Sequence, residues 1–303
     1  MKRNLLFLVL LIIFSNRLQA QDSSLLNMLS DSMQANEKPM QVKGTFKGLY
    51  IVDMKTVESS ARGALNFLIM HRFGKLNDGA YNFFGLDNAT IRLGFDYGIT
   101  DRLSVGIGRS SLEKTFDGYF KYRLLWQTDG SERMPLSLSL SSGLTYNTLK
   151  YPDKTYLNAK YRTSYATQLI AARKFNSNLS LQLVPIWLHY NLVPTTEDKN
   201  NVFAIGAGGR MRVTKRMSIT AEYNYLLPDQ VNSFDAHNVF SVAWEIETGG
   251  HVFQLVFTNA QGMTEPQVIG RTTGEWSNGD IYFGFNVSRV FNVSHKAKKS
   301  VVY

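Results

Sequence analysis

The sequence contains no cysteine among its 303 residues. It can therefore form no disulfide, hold no metal through a thiolate, use no cysteine nucleophile and carry no lipidated cysteine. Beyond the N terminus there is also no run approaching the roughly 18 apolar residues that a transmembrane helix needs. An exported chain of this size without disulfides must obtain its stability from an internal core or from a membrane.

The N terminus has the features of a secretory signal peptide. Lys2 and Arg3 precede a run of ten apolar residues, Leu5–Phe14, and the small residue Ala20 follows. This run is too short to cross a bilayer, so we expect cleavage after residue 20 and export of the remaining chain. The formal charge of +9 falls to +6 when Lys2, Arg3 and Arg17 are removed. We expect no nucleic-acid partner for an exported chain of such mild charge.

Strict alternation of apolar and polar residues dominates the remainder. It is clearest in Thr90–Gly108, where Phe95 and Tyr97 alternate with Gly94, Asp96 and Gly98. A period of two predicts strands with two unlike faces. A soluble sandwich with this pattern would have to expose the aromatic rings or bury the charges. We therefore expect the apolar face to contact lipid and the charged face to point into a barrel.

The pattern predicts an all-β fold, an antiparallel transmembrane β-barrel of twelve strands. Tight turns alternate with longer loops along the chain, as expected when the turns are periplasmic and the loops extracellular. An even strand number places both ends of the barrel wall in the periplasm. The predicted strands are 63–73, 88–99, 102–112, 115–128, 135–148, 161–175, 179–191, 201–214, 217–226, 237–248, 251–259 and 280–291.

This pattern divides the chain into four segments. We expect a signal peptide at 1–20, a periplasmic or plug segment at 21–61, the barrel at 62–291 and a basic tail at 292–303. The predicted location is the outer membrane of a didermal bacterium. The expected partners are outer-membrane lipid, lipopolysaccharide and the barrel-assembly machinery, and a small polar solute is compatible with the lumen.

Several stretches of the sequence resemble a known protein family. The stretch His71–Ser111, together with "TFKG" at 45–48 and "FDGYFKYRLL" at 116–125, resembles a β-barrel family of Bacteroidota known as a domain of unknown function, DUF5777. The resemblance covers nearly all of the chain after the signal peptide. It implies an outer-membrane barrel but brings no substrate and no catalytic residues.

The residues offer little for catalysis or metal binding. The five histidines show neither metal-ligand spacing nor a His-x-Ser pattern on one strand face, so we predict no catalytic residues, metal site or cofactor. What remains is a charged lumen. The inward-facing charges, assigned by parity, are Arg72, Arg92, Asp96, Lys121, Arg123, Arg210, Arg212, Glu222, Glu245 and Glu247.

Two arrangements of these charges are compatible with the sequence. Arg92, Lys121 and Arg123 lie on strands distant from the glutamates, which in an open lumen would favour anions. The charges can instead form an internal salt-bridge network that closes a narrow barrel. Many small inward residues, such as Gly206 and Gly208, favour some open space.

The loop after the first strand places Tyr81, Phe83 and Phe84 in polar surroundings. These rings can fold inward as a constriction or pack on the barrel rim. The sequence favours a narrow channel for small polar or anionic solutes. A non-conducting scaffold that docks partner proteins is the alternative, and a barrel enzyme is the third possibility.

Overall fold

The computed structural model describes residues 40–130 and 133–293, together with Met28. The predicted signal peptide and the tail beyond Val293 lie outside the described residues. The chain forms two compact units. In the smaller unit, Met40–Gln41 pairs antiparallel with Thr128–Asp129. None of the helices in the described ranges has the length and apolar character to span a membrane.

The larger unit is a closed antiparallel barrel of twelve strands, which confirms the predicted fold class and strand number. Strand β12 closes onto β1, with Phe285 opposite His71 and Phe291 opposite Leu65. Closure leaves no unpaired strand edge, which hydrocarbon could not solvate. The strands are Ala64–Lys75 (β1), Ala89–Gly98 (β2), Leu103–Ser110 (β3), Phe116–Leu125 (β4), Ser137–Tyr146 (β5), Thr163–Lys174 (β6), Leu179–Tyr190 (β7), Asn201–Arg212 (β8), Met217–Leu226 (β9), Val239–Thr248 (β10), His251–Thr258 (β11) and Tyr282–Asn292 (β12).

Burial alternates along the strands with the period that the sequence predicts. In β2, Phe95 is 44% exposed while its neighbour Asp96 is 4% exposed. Successive side chains of a strand point to opposite faces, so the exposed apolar row covers the outside and the charged row faces the interior. The apolar outside matches the hydrocarbon that surrounds a membrane barrel.

The connections differ at the two ends of the barrel. Short turns at 99–102, 175–178, 213–216 and 249–250 lie at one end, called the turn end. The other end carries the loops 76–88, 111–115, 147–162, 191–200, 227–238 and 259–281, and is called the loop end. In bacterial barrels the short turns are periplasmic and the longer loops extracellular.

Residues 43–60, called the plug, run through the barrel interior. Wall strands on different sides hold the plug backbone: Lys121 Nζ donates to Thr56 O at 3.3 Å, Gln182 Nε2 to Lys55 O at 2.8 Å and Asn286 Nδ2 to Val52 O at 2.9 Å. The plug enters and leaves at the turn end, where Lys174 Nζ donates to Lys43 O at 3.0 Å and Arg62 bridges to Gly98.

One side of the interior is apolar. The plug residues Ile51, Val52, Met54 and Val57 belong to a buried cluster with inward side chains of β6–β8, among them Ile170, Val184, Ile186, Leu188 and Val202. This packing explains why β7 is apolar on both faces: its outer row contacts lipid and its inner row contacts the plug.

Two of the small inward residues, Gly206 and Gly208, make room for the plug and do not leave open space, contrary to the expectation from the sequence. A Cβ at Gly206 would lie 2.6 Å from Met54 Cε, and one at Gly208 would lie 2.6 Å from Ile51 Cδ1. Both distances are below van der Waals contact, so a side chain at either position would force the end of Met54 or Ile51 to shift.

The first part of the last long loop, residues 259–274, folds into the barrel from the loop end and is called the inner loop. Its residues Met263, Val268 and Ile269 are buried, and it contains the short helix Glu265–Val268. The Tyr190 hydroxyl donates to the carbonyl of Pro266 at 2.8 Å or of Ile269 at 2.9 Å. The inner loop thus closes the interior above the plug.

Candidate functional site

The structure places the predicted lumen charges on the inner face of the wall. Eight of them are buried, with exposures between 0% and 6%: Arg72, Arg92, Asp96, Lys121, Arg123, Arg210, Glu222 and Glu245. Arg212 and Glu247, near the turn end, are half-buried. Inside the barrel, these charges face the plug and each other.

The charges of β8–β10 form ion pairs within the wall. Arg210 Nε donates to Glu245 Oε1 at 2.7 Å, and the same guanidinium bonds Glu247. Arg212 donates instead to Asn178 Oδ1, at 3.0 Å from Nη2. Arg210 is therefore neutralised within the wall.

The open-lumen arrangement leaves the basic residues of the early strands without carboxylate partners, but in the structure Arg92 and Arg123 each have one. Arg92 Nε donates to Asp117 Oδ1 at 2.9 Å, within the wall. Arg123 pairs with the plug residue Glu58 at 3.3 Å. Asp117 has the same strand parity as Arg123, so alternation along β4 could have revealed it.

Arg72 pairs with the plug residue Asp53 at 2.8 Å between Nη2 and Oδ1. Its Nη1 also donates to Asn286 Oδ1 at 2.9 Å. Neither Asp53 nor Glu58 lies on a strand, so no period marked these two carboxylates as inward-facing.

Glu222 holds the deepest part of the plug. Its carboxylate accepts backbone N–H groups of three consecutive plug residues, Val52 at 3.0 Å, Asp53 at 3.1 Å and Met54 at 3.0 Å. Hydrogen bonds to a charged acceptor are among the stronger ones in proteins. Glu222 is predicted to face the lumen, and in the structure its partner there is the plug backbone.

The plug and the inner loop contact each other directly. The ammonium of Lys55 bonds the carboxylate of Glu265, and both side chains are largely buried. This ion pair connects the plug, which fills the barrel from the turn end, to the inner loop, which closes it from the loop end.

A cavity of about 770 Å³ lies among the loops at the loop end. Its lining includes Tyr151, Tyr156, Tyr161, Arg162 and Arg271, and inner-loop residues such as Pro266 and Gln267. The volume is within the range of sites that enclose small ligands. No sequence pattern marked this cavity, because its lining comes from several loops that are distant along the chain.

Hydrogen bonds join loops 191–200 and 227–238, which both contribute residues to the cavity lining. Asp198 Oδ1 accepts the backbone N–H groups of Asn232 at 2.7 Å and Ser233 at 3.0 Å. Burial alone would raise the pKa of Asp198, but these hydrogen bonds, with others from the Ser233 side chain and the Thr195 backbone, lower it to about 2. The carboxylate therefore stays ionised and holds loops 191–200 and 227–238 together.

The predicted constriction residues lie elsewhere. Tyr81, Phe83 and Phe84 are 96%, 61% and 53% exposed, and none of them lines the cavity. They belong to the 3₁₀ segment Ala80–Gly85, in which Phe83 and Phe84 have positive φ angles of 46° and 53°. The rings do not fold inward in this structure.

Within the ranges that the structure describes, no cluster of three or more histidine, aspartate or glutamate side chains is placed to hold a metal ion. His71 stacks on Phe285, with ring centroids 4.8 Å apart. His189 Nδ1 lies 2.9 Å from Asn201 Oδ1.

The closed barrel, its lipid-facing apolar surface and its charged interior define a transmembrane β-barrel protein. Barrels of this form belong to the bacterial outer membrane. The chain belongs to the family described as membrane bound beta barrel domain, DUF5777, whose model matches residues 46–291. The match includes the plug from Phe46 onward as well as the wall. The Bacteroidota origin stays a prediction.

A comparison with curated proteins finds no match. Among solved structures, the NanC porin is 9% identical with a TM-score of 0.46, covering 75% of this chain and 98% of that one. The COG4313 outer membrane channel from Pseudomonas putida F1 is 14% identical with a TM-score of 0.46, covering 77% and 97%. The outer membrane phospholipase A from Escherichia coli is 10% identical with a TM-score of 0.42, covering 74% and 89%. At these identities and scores, the likeness carries no information about the function of this chain.

Proposed function

We propose that the barrel is a channel for small polar solutes that the plug holds closed, and that it is not an enzyme. The observation that supports this is the polar side of the wall. Charged groups and hydroxyls of β1–β5 face the plug there, and Ser139 Oγ, for example, donates to Val57 O at 3.1 Å. Once the plug is displaced, the same groups line a polar passage.

Displacement of the plug also sets the charge of that passage. Arg72 and Arg123 lose Asp53 and Glu58 when the plug leaves, whereas Arg92 keeps its wall partner Asp117. The side of the lumen formed by β1–β4 then carries unpaired guanidinium groups. A confined basic wall concentrates anions, so this side of the open channel favours anionic solutes.

The apolar contacts of the plug favour a second candidate, a non-conducting scaffold. Ile51, Val52, Met54 and Val57 are each at most 3% exposed. Burying an aliphatic side chain contributes about 1.5–3 kcal/mol, so these four contribute roughly 6–12 kcal/mol. Without a partner or ligand that displaces the plug, the fraction of molecules with a displaced plug at equilibrium is then below about one in ten thousand. In the scaffold function, the plug never leaves.

Conductance in planar bilayers separates the two candidates. We expect the intact protein to be closed. A variant without residues 43–60 opens only the turn end, because the inner loop also closes the interior. A second variant, which lacks the plug and has residues 260–273 replaced by a short linker, should conduct steadily. Heat-modifiable migration on gels shows that each variant still forms a barrel. A folded second variant that does not conduct would reject the channel and leave the scaffold.

A further inference from the structure

The loop-end cavity has the volume of a ligand-binding site, and hydrogen bonds hold the loops around it in place. The cavity plays no part in closing the barrel. At about 770 Å³ it is large enough for a ligand of several rings. It opens among the long loops, at the end that faces the outside of the cell. A ligand arriving from outside would reach this cavity before the plug.

Tyrosine rings supply flat surfaces in the cavity. Tyr151, Tyr156 and Tyr161 all come from the loop 147–162. Tyr156 is 57% exposed and Tyr161 is 39% exposed, so their rings remain accessible. A tyrosine offers an apolar face together with a hydroxyl at its edge. This combination suits a sugar ring, which presents C–H groups on its faces and hydroxyls around its edge.

The charged residues of the lining are mainly basic: Lys154, Arg162 and Arg271 against Glu113. Arg271 is paired with Glu113 at 3.3 Å. Lys154 and Arg162 form no ion pair with a carboxylate within the part of the chain that the structure describes, and both lie close to the ring of Tyr151, at 5.3 Å and 5.7 Å from its centroid. The lining therefore carries two cations whose charge no carboxylate offsets.

The site is organised before a ligand binds. The guanidinium of Arg162 donates to Leu149 O at 2.6 Å, to Leu157 O at 3.1 Å and to Asn147 O at 3.3 Å. These bonds fix both the fold of loop 147–162 and the position of the positive charge. Pre-organised loops reduce the entropy that is lost on binding.

We propose that this cavity binds an acidic oligosaccharide, with tyrosine rings against the sugar faces and Lys154 and Arg162 beside its carboxylates. An inorganic anion would use the cations but neither the rings nor the volume. A neutral sugar would use the rings but not the unpaired cations. The inference goes beyond the proposed channel, because a barrel that never conducts can still bind at its outer face.

The test is calorimetric titration of the full-length protein in detergent with a hyaluronan tetrasaccharide and with its methyl ester, which has the same rings without the charges. We expect the tetrasaccharide to bind about tenfold more tightly than the ester, because charge-assisted hydrogen bonds to the carboxylates are lost. Absence of tetrasaccharide binding up to about 10 mM, a concentration above the range of specific affinities, would overturn the proposal. Equal affinity for the ester would overturn it as well.

Matched variants locate the site. Lys154→Gln should weaken tetrasaccharide binding about tenfold and leave ester binding unchanged, while Lys160→Gln, in the same loop but outside the cavity lining, should change neither. Tyr156→Ala should weaken the binding of both ligands. Tyr81→Ala, at an exposed tyrosine outside the cavity, should weaken the binding of neither. Equal effects within either pair would refute the assigned cavity. Binding is measured without conductance, so the failure of this inference and that of the channel are distinguishable.

Discussion

Replacing Glu222 with glutamine tests how the wall holds the plug. The glutamate is 1% exposed, and its two oxygens accept three backbone N–H groups from Val52, Asp53 and Met54. Glutamine has nearly the same shape but only one acceptor oxygen, and its amide group is a donor. In Glu222→Gln, at least one buried plug N–H therefore faces another donor.

The expected loss follows from this geometry. A buried donor left without its partner costs about 1–3 kcal/mol. Because each 1.4 kcal/mol is a factor of ten, the displaced-plug population should rise roughly 5- to 150-fold. Glu245→Gln is the matched control: Glu245 is also 1% exposed and lies on the neighbouring strand, but it bonds the wall residues Arg210 and Gln254.

Native-state proteolysis measures this population. Trypsin can cleave after the plug residue Lys55 only when the plug is displaced, and when opening is faster than cleavage, the cleavage rate follows the open population. Mass spectrometry of the Lys55 cleavage product should show the 5- to 150-fold increase in Glu222→Gln and little change in Glu245→Gln. The same cleavage rate in the two variants would refute the assignment of Glu222 as the residue that anchors the plug.

Three further predictions concern the lipid face, the lumen and the two loops that Asp198 joins. Phe95→Arg should lower the free energy of unfolding in lipid vesicles by about 2–4 kcal/mol, since residue 95 faces hydrocarbon. Asp101→Arg, at an exposed position of the turn 99–102, should change it little. Equal losses would contradict the assigned facing. In a barrel that lacks both the plug and the inner loop, Arg72→Gln should shift the reversal potential toward cations more than Arg92→Gln, because Asp53 leaves with the plug while Asp117 stays on the wall. An equal shift would contradict the pairing. The folded-state pKa of Asp198, about 2, is below its ordinary value, so its stabilisation is complete above about pH 4 and is lost as the pH falls through about 2. Hydrogen exchange in the loops that Asp198 joins should show this loss, and Asp198→Asn should remove the pH dependence.

The facing of the wall residues could be predicted because it is a local property. The alternation of Phe95 with Asp96 repeats every two residues, and a strand converts that period directly into two faces. The same rule places Arg72, Lys121 and Glu245 inside, and it applies equally to Asp117. Alternation assigns a face, but it does not say what occupies the space in front of that face.

The sequence predicts that residues 21–61 are either a periplasmic segment or a plug. The contacts of the plug could not be predicted. Residues 45–60 show no sustained period, and their partners are far away in the sequence: Glu222 is 170 residues from Val52. One local sign was present. The strand 179–191 departs from alternation because its inner row packs on Met54 and its neighbours, so an apolar inner row indicated a second surface inside the barrel.

The sequence by itself determined the barrel, its strand number and the lipid-facing row, because each depends on a short-range period and on the solvent that each face meets. The tertiary structure decided whether the lumen is open, which carboxylate pairs with each arginine, and where a cavity forms among the loops. These features depend on segments brought together only when the wall closes. The physical reason is that a closed barrel creates an enclosed space, and which residues fill that space depends on long-range packing that no local pattern encodes.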